Sequence, residues 1–266
     1  MSGVRLLTRA DDAGLHPIAN HAIRDTVLKG IVRNISLMAP APAIEDAFEI
    51  LGNLADRVDF GLHVTLTAEW RNVRWAPLTG GTGVAAADEM ARTYTRPDGT
   101  MHYTVDDLAS TAPVPSVLLA EVQAQYNKLQ SLGFRLSYID AHMGVDHVPG
   151  LAEALAEFAR RHELVNNTQL ADDGVLVRLP DWPGPGEHPG TELADHLASI
   201  SPGTYLLVGH PATKSEAMDE FHTAHADRGE VTFQRNRERR MFMDIEIVDY
   251  CEAAGVELLR YSSLRG

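Results

Sequence analysis

The most constraining feature of the sequence is the alternation of short apolar runs with segments of helical periodicity. Residues 4–7 form an apolar run of strand length, and residues 17–29 then carry apolar side chains at roughly helical spacing. The same two patterns follow at residues 31–38 and 43–55. Strands that alternate with helices indicate a parallel sheet whose faces are covered by helices.

The rest of the chain extends this pattern, except for one long irregular segment. Further strands are predicted at residues 58–66, 136–141, 175–179, 205–208 and 256–261, and further helices at 114–132, 151–162, 191–200 and 232–252. A total of about seven or eight strands fits a (β/α) barrel, either TIM-like or distorted and seven-stranded, better than a small open sheet. Residues 67–112 lack any long apolar period, so they are interpreted as an insertion, either a functional loop or surface elaboration.

The length of the chain bears on its division into domains. A chain of 266 residues suits one α/β barrel, which typically takes about 250 residues. Two smaller domains would fit the same length, so the strand pattern decides. We predict a single domain over residues 1–266 that includes the insertion.

The charge and the cysteine content narrow the range of partners and compartments. The formal net charge of −14 offers no broad basic surface to a nucleic-acid backbone, so no nucleic acid is expected to bind. Cys251 is the only cysteine, which excludes an internal disulfide and favours a reducing, cytoplasmic location. The N-terminal residues carry neither a signal-peptide core nor a membrane-spanning run, so no membrane partner is expected. The sequence does not decide the oligomeric state, and a homo-oligomer is one possibility.

Two adjacent acids, Asp11 and Asp12, directly follow the first predicted strand. Neighbouring side chains on an extended chain point in different directions, so the two carboxylates can do different work. One can ligate a cation while the other takes a proton from water, as metal-assisted hydrolysis requires. The same stretch, Asp-Asp-Ala-Gly, is also typical of a turn or a helix cap.

His63 lies in the apolar strand predicted at residues 58–66 and shares one face of it with Thr65. An imidazole that faces inward there is a candidate metal ligand. A hydrogen-bonded packing residue is the structural alternative. Which of the two applies depends on the side chains that lie beside His63 in the fold.

The densest group of acids and histidines comes at the end of the next predicted strand and comprises Asp140, His142, Asp146 and His147. Because residues two apart on a strand face the same side, Asp140 and His142 are both expected to project into one cavity. Histidine and carboxylate ligands suit zinc and related divalent ions without any cysteine. Asp146 and His147 are interpreted as polar loop residues.

His210 follows the strand predicted at residues 205–208 and precedes Pro211. A histidine there with no metal to bind could protonate a leaving amine, and a surface loop histidine is the alternative. The four polar motifs are more informative together than singly. Each follows a different predicted strand, and barrel enzymes assemble their active sites at the C-terminal ends of their strands. This pattern favours a metal-dependent hydrolase.

Four short blocks come in a fixed order: TRADDAG at residues 8–14, GLHVTLT at 61–67, DAH at 140–142 and GHPA at 209–212. Asn20 and Ile23 lie in the helix after the first block, and the chain closes with ELLRYSSL at residues 257–264. In order and spacing these blocks resemble the YdjC-like family of carbohydrate, or chitooligosaccharide, deacetylases. The resemblance implies a barrel of the polysaccharide deacetylase type that removes an acetyl group from an N-acetylated amino sugar.

The resemblance also implies a role for each site residue. Asp12, His63 and His142 would bind one divalent ion, Asp11 would be the base that activates water, and His210 would be the acid. Zinc is the first choice for two histidines and one carboxylate, with magnesium, manganese and cobalt as alternatives. The implied partner is a small carbohydrate substrate.

The chain departs from the family pattern beside these residues. The family commonly has Asn where this chain has Arg9, Phe where it has Ala13, and a histidine-rich run at residues 143–146. None of these changes falls on an implied metal ligand. They leave undecided whether this chain acts on chitooligosaccharides, the usual substrate of the family. A guanidinium at Arg9 would stabilise the charge of Asp11 and weaken it as a base, or could bind an acidic group of the substrate.

Two other functions stay open from the sequence. The same cation could serve hydrolysis of a different acyl bond or of a glycosidic bond. A glycosidase needs two carboxylates about 5–10 Å apart, and Asp11 and Asp140 are the only pair to nominate. A sugar-binding barrel without turnover is the third hypothesis, and the presence of all five implied site residues argues against it.

Overall fold

The computed structural model describes residues 3–80, 89 and 91–265. Within these residues the strands are β1 (Val4–Ala13), β2 (Asn34–Leu37), β3 (Asp59–Val64), β4 (Leu136–Ala141), β5 (Val165–Asn166), β6 (Val177–Arg178), β7 (Gly203–Gly209) and β8 (Glu257–Leu259). They form one parallel sheet in the order β5-β4-β3-β2-β1-β7-β6, and β8 pairs with the N-terminal half of β1.

Helices separate most of the strands along the chain. The α-helices include α1 (Pro17–Leu28), α2 (Ile44–Leu51), α3 (Val105–Ser110), α4 (Pro115–Leu132), α5 (Leu151–Arg161), α6 (Asn167–Asp172), α7 (Pro189–Ser199), α8 (Glu230–Met243) and α9 (Ile245–Ala254). Short 3₁₀ segments lie at Gly52–Leu54, His142–His147, Met218–Glu220 and Tyr261–Leu264. No helix in the described ranges is both long enough and apolar enough to cross a membrane.

The sheet curls into a half-barrel with helices packed against it, so the predicted distorted (β/α) barrel is confirmed. Apolar residues of strands and helices form one main core, in which Ile35 and Leu62 pack with Ile23, Leu118 and Phe158. In the described part of the chain no pairing joins β5 to β6, so the barrel is open between these strands. Because all strands run in one direction, the C-terminal ends of β1, β3, β4 and β7 meet at one edge.

A second, smaller apolar cluster holds the loops that frame this edge. Its members come from the segments that follow β1, β2, β3 and β7: Leu15, Ala19, Met38, Ala41, Ala68, Trp70, Trp75, Met101, Ala212, Met218 and Phe221. Trp70 and Phe221 pack edge to face with ring centroids 5.6 Å apart, an arrangement that aromatic pairs favour. Packing of this kind fixes the loops in which the polar residues of the site lie.

Two sequence predictions about the fold need correction. The single helix predicted at residues 232–252 is wrong, because Asp244 adopts an extended conformation (ψ 139°) between α8 and α9. The sequence patterns also missed α3, β5 and α6, which are too short to show a period. The single domain with an insertion at residues 67–112 stays a prediction, and residues 81–88 and 90 lie outside the described ranges.

Candidate metal centre

The end of β1 contains an irregularity that brings both aspartates to the same cavity. Ala10 pairs with Ile35 and Ala13 with Leu37, so the pair Asp11 and Asp12 lies opposite a single residue of β2. Asp12 has a φ of 65°, which Asp tolerates better than most residues. Strict alternation would have separated the two side chains. The bulge instead lets both carboxylates line the cavity.

His63 and Asp140 are neighbours across two strands. The pairing of β3 with β4 places these residues directly side by side. Asp140 Oδ2 lies 2.7 Å from His63 Nδ1, so it accepts the ring N–H and leaves Nε2 facing the cavity. His142 begins the 3₁₀ segment after β4, where Met143 (φ 54°) and Gly144 (φ 73°) turn the chain sharply away. The turn leaves the His142 ring beside that of His63.

Three potential ligand atoms converge at this point. Asp12 Oδ1 lies 3.5 Å from His63 Nε2 and 3.4 Å from His142 Nδ1. The two ring nitrogens are 3.2 Å apart. All three residues are buried, and Asp12 Oδ1 has no hydrogen-bond partner among the described residues. An unpartnered buried carboxylate oxygen is costly unless a cation or another donor satisfies it.

These atoms fit a small divalent ion. Ligand atoms on a tetrahedral ion with bonds of about 2.0–2.1 Å lie about 3.3–3.4 Å from one another. The three measured separations of 3.2–3.5 Å bracket that spacing. Burial lowers the pKa of His63, but the charges of Asp140 and Asp11 outweigh it and raise that pKa to about 10. The surrounding field therefore favours a positive charge at this point.

Each of the two histidines has a carboxylate on its far side. Asp140 holds His63, and it also accepts a hydrogen bond of 2.9 Å from Ser36 Oγ. Glu69 Oε2 lies 3.6 Å from His142 Nε2, a nitrogen without a hydrogen-bond partner in the part of the chain described. Carboxylates in this position orient metal-binding histidines and raise their basicity.

The guanidinium of Arg9 contacts both Asp11 and Asp140. Its Nε and Nη2 donate to the two oxygens of Asp11 at 2.6 and 2.8 Å, and Nη2 lies 3.1 Å from Asp140 Oδ2. Nη1 donates to Tyr261 Oη at 3.0 Å. Its polar atoms are thus committed to protein partners, which argues against the idea that Arg9 binds an acidic group of the substrate.

His210 lies directly after β7 on the wall of the same cavity. Glu238 of α8 accepts a 2.6 Å hydrogen bond from the His210 backbone N–H, and its Oε2 lies 3.4 Å from His210 Nδ1. Burial lowers the pKa of His210, but the hydrogen bond and the charge of Glu238 outweigh this effect and raise it to about 9. The charge of Glu238 therefore favours the protonated form of His210, whose side chain is 39% exposed.

The cavity has a volume of about 750 Å³, within the range usual for small-molecule sites. Asp11, Asp12, His63, His142 and His210 all line it. The structure thus brings together every residue that the sequence singled out as a ligand, base or acid.

Several residues lie differently from their prediction or were missed. Asp140 lies behind His63 and does not line the cavity with His142 as expected. Asp146 accepts a hydrogen bond from Thr168 Oγ1 at 2.7 Å, and His147 is exposed, as expected of loop residues. Glu69, Arg235 and Glu238 were not predicted. Glu69 lies in the irregular segment after β3, and the other two come from a helix whose position only the tertiary fold determines.

Fold and cluster together define an open α/β barrel with a candidate metal centre at the C-terminal ends of its strands. The chain belongs to the YdjC-like protein family, whose model matches residues 5–253.

Individual proteins also match this chain over nearly its full length. The chain is 25% identical to a carbohydrate deacetylase of Thermoanaerobacter pseudethanolicus, over 98% of this chain and 99% of the relative. It is 28% identical to a carbohydrate deacetylase of Vibrio cholerae serotype O1 (strain M66-2), over 98% and 96%. A crystal structure from Enterococcus faecalis V583, provisionally named a cellobiose-phosphate cleavage protein, superposes with a TM-score of 0.78 at 19% identity, covering 99% of both chains. That likeness supports the fold alone.

Proposed function

We propose that this protein is a metal-dependent carbohydrate deacetylase that hydrolyses the N-acetyl group of an amino sugar or an N-acetylated oligosaccharide. The observation that carries the proposal is the convergence of Asp12 Oδ1, His63 Nε2 and His142 Nδ1 within 3.5 Å in a cavity that Asp11 and His210 also line. The carbohydrate deacetylases among its relatives support the substrate class. The single cysteine is consistent with work in the cytoplasm.

Asp12, His63 and His142 would hold the ion, with zinc as first choice and magnesium, manganese or cobalt as alternatives. A divalent ion bound there would polarise the acetyl carbonyl and lower the pKa of water. The donor set of two imidazoles and one carboxylate suits zinc, which binds histidine nitrogen and carboxylate oxygen as well as cysteine sulfur.

Asp11 and His210 would move the protons. Asp11 faces the cavity beside Asp12, and in this proposal it takes the proton of the attacking water. Arg9 binds both Asp11 oxygens, which fixes the carboxylate in place. His210, whose protonated form Glu238 favours, would donate a proton to the amide nitrogen so that the amine can leave.

A glycosidase mechanism is disfavoured by the positions of the two carboxylates it would need. Arg9 binds Asp11 and approaches Asp140 with the same guanidinium. Asp140 is buried behind His63 and does not line the cavity. The pair therefore cannot flank a scissile bond from two sides.

Acetate release from a panel of N-acetylated mono-, di- and oligosaccharides tests the proposal. The protein is reconstituted with zinc, and a chelated sample serves as control. We expect acetate from at least one sugar in the zinc sample and none in the control. No acetate from any member of the panel would contradict the proposed substrate class.

Asp140→Asn is expected to weaken zinc binding by about 10- to 100-fold, because His63 loses the charged acceptor that orients its ring. Competition against a chromophoric chelator measures the affinity. Asp146→Asn is the matched control, since Asp146 accepts from Thr168 away from the ligands. Equal zinc affinity in wild type and Asp140→Asn would show that Asp140 has no such role.

Glu238→Gln is expected to move the alkaline limb of kcat to lower pH. His210 must be protonated to act as an acid, so wild-type kcat should fall as pH rises through about 9, the pKa of His210. Glutamine can still accept the His210 backbone N–H but carries no charge, so the pKa of His210 falls toward the ordinary value of about 6.5.

The pH profile of kcat in both proteins checks this shift. Glu252→Gln in α9, an exposed residue, controls for the loss of one negative charge. An alkaline limb at the same pH in wild type and Glu238→Gln would exclude His210 as the acid.

A further inference from the structure

Arg235 is a buried guanidinium in direct contact with a proposed metal ligand. It lies in α8, its side chain is 7% exposed, and its Nη2 donates to Asp12 Oδ2 at 2.5 Å. Its guanidinium lies over the ring of Trp70, 5.2 Å from the centroid. These two contacts hold the Arg235 side chain, which comes from α8, in place beside Asp12.

The two oxygens of Asp12 consequently have different environments. Oδ2 is occupied by Arg235, whereas Oδ1 faces His63 and His142 and has no hydrogen-bond partner in the described ranges. An ion between the two histidines can therefore reach Oδ1 while Oδ2 stays bound to the guanidinium. Binding through both oxygens would require the bond to Arg235 to break.

We infer that Arg235 is a positioning residue that restricts Asp12 to one-oxygen ligation and so makes the site selective for small, four-coordinate cations. The inference rests on the proposed metal centre. Zinc takes about four ligands, whereas calcium takes about six to eight and commonly binds carboxylates through both oxygens. A carboxylate with one free oxygen therefore disfavours calcium more than zinc.

The charge of Arg235 has a separate effect that must be kept apart from its geometric one. A guanidinium beside Asp12 repels any divalent cation, so its removal raises the attraction for zinc and calcium alike. The absolute zinc affinity thus combines two opposing effects. The ratio of zinc to calcium affinity cancels the shared charge effect and reports the geometric one.

The test replaces Arg235 by methionine, which fills similar space beside Trp70 but has no N–H to donate. We expect the ratio of zinc to calcium affinity to fall by about tenfold or more, on the scale usual for residues that orient metal ligands. We also expect the visible spectrum of the Co²⁺-loaded protein to change, since that spectrum depends on coordination number. Arg240→Ala, an exposed arginine of the same helix, should match wild type in both measurements.

Arg235→Lys is the second variant. Lysine retains the charge and can donate from its single nitrogen, but it has a shorter, less fixed reach, so its zinc-to-calcium ratio should lie between those of wild type and Arg235→Met. If Arg235→Met does not fold, the lysine variant decides, and a ratio equal to that of wild type overturns the inference. An unchanged ratio and Co²⁺ spectrum in folded Arg235→Met also overturn it. If the ratio and the spectrum are unchanged but wild type still releases acetate with zinc, the inference about Arg235 fails while the proposed function stands.

Discussion

Replacing His142 by alanine is expected to remove the bound divalent ion and to lower kcat/KM by about 10³- to 10⁵-fold, since a metal contributes several kcal/mol to such reactions. His142 Nδ1 lies within 3.4 Å of both Asp12 Oδ1 and His63 Nε2. Without this nitrogen, two donors are left, too few for tight binding. Metal content after dialysis and the rate of acetate release measure the two effects.

His147→Ala is the matched control for that experiment. His147 lies in the same 3₁₀ segment, but its side chain is 86% exposed and does not line the cavity. The control should keep its metal and its rate. A His142→Ala protein that retains one equivalent of zinc and normal turnover would remove His142 from the proposed ligands.

Asp11→Asn is expected to lower kcat by about 10²- to 10⁴-fold, the usual contribution of a general base, while the metal stays bound. Asparagine has nearly the same shape but cannot take a proton from water. Its amide oxygen can still accept one hydrogen bond from Arg9, so the local structure should persist. Single-turnover rates and metal content, measured on one preparation, check the prediction.

Asp12→Asn offers the contrast one residue away. Asp12 Oδ1 faces the two histidines, so this variant should lose both metal and activity. The same chemical change at adjacent positions then separates the two roles. If Asp11→Asn turns over normally, or if both variants lose the metal equally, the division of roles between the two aspartates fails.

Local pattern was sufficient to predict the elements that form the framework of the site. The strand predicted at residues 136–141 matches β4 at both ends, and the helix predicted at 114–132 begins one residue before α4. These segments have strong periods and clear stop signals such as Gly133, which adopts a φ of 108° after α4. The positions of the polar motifs at the strand ends followed from the same pattern.

The break between α8 and α9 shows where apolar period alone misleads. The apolar period continues through residue 244 and therefore predicts one long helix. Asp244 packs against Gly190 of α7, where an added Cβ would lie 2.4 Å from the Asp244 Cβ. Aspartate is a favoured residue at a helix start, so Asp244 is a local signal that competes with the apolar period, although its side chain makes no capping hydrogen bond in the structure.

The side chains that surround the ligands depend on tertiary contacts and could not be predicted. Arg235 and Glu238 lie three residues apart on α8 and reach Asp12 of β1 and His210 after β7. Their sequence neighbourhood is a charged helix face, which is usually only solvated. Likewise, the shared cavity of Asp11 and Asp12 depends on a bulge in β1, and no residue type specifies such an irregularity.

Titration of the metal-free protein with zinc, followed by acetate release from the best N-acetylated sugar, tests the central claim most directly. The account predicts no acetate without metal, a rate that rises with added zinc, and a break at one equivalent of zinc per chain. His142→Ala should release no acetate over the same range. Full acetate release from chelated protein, with no response to zinc, would contradict the account.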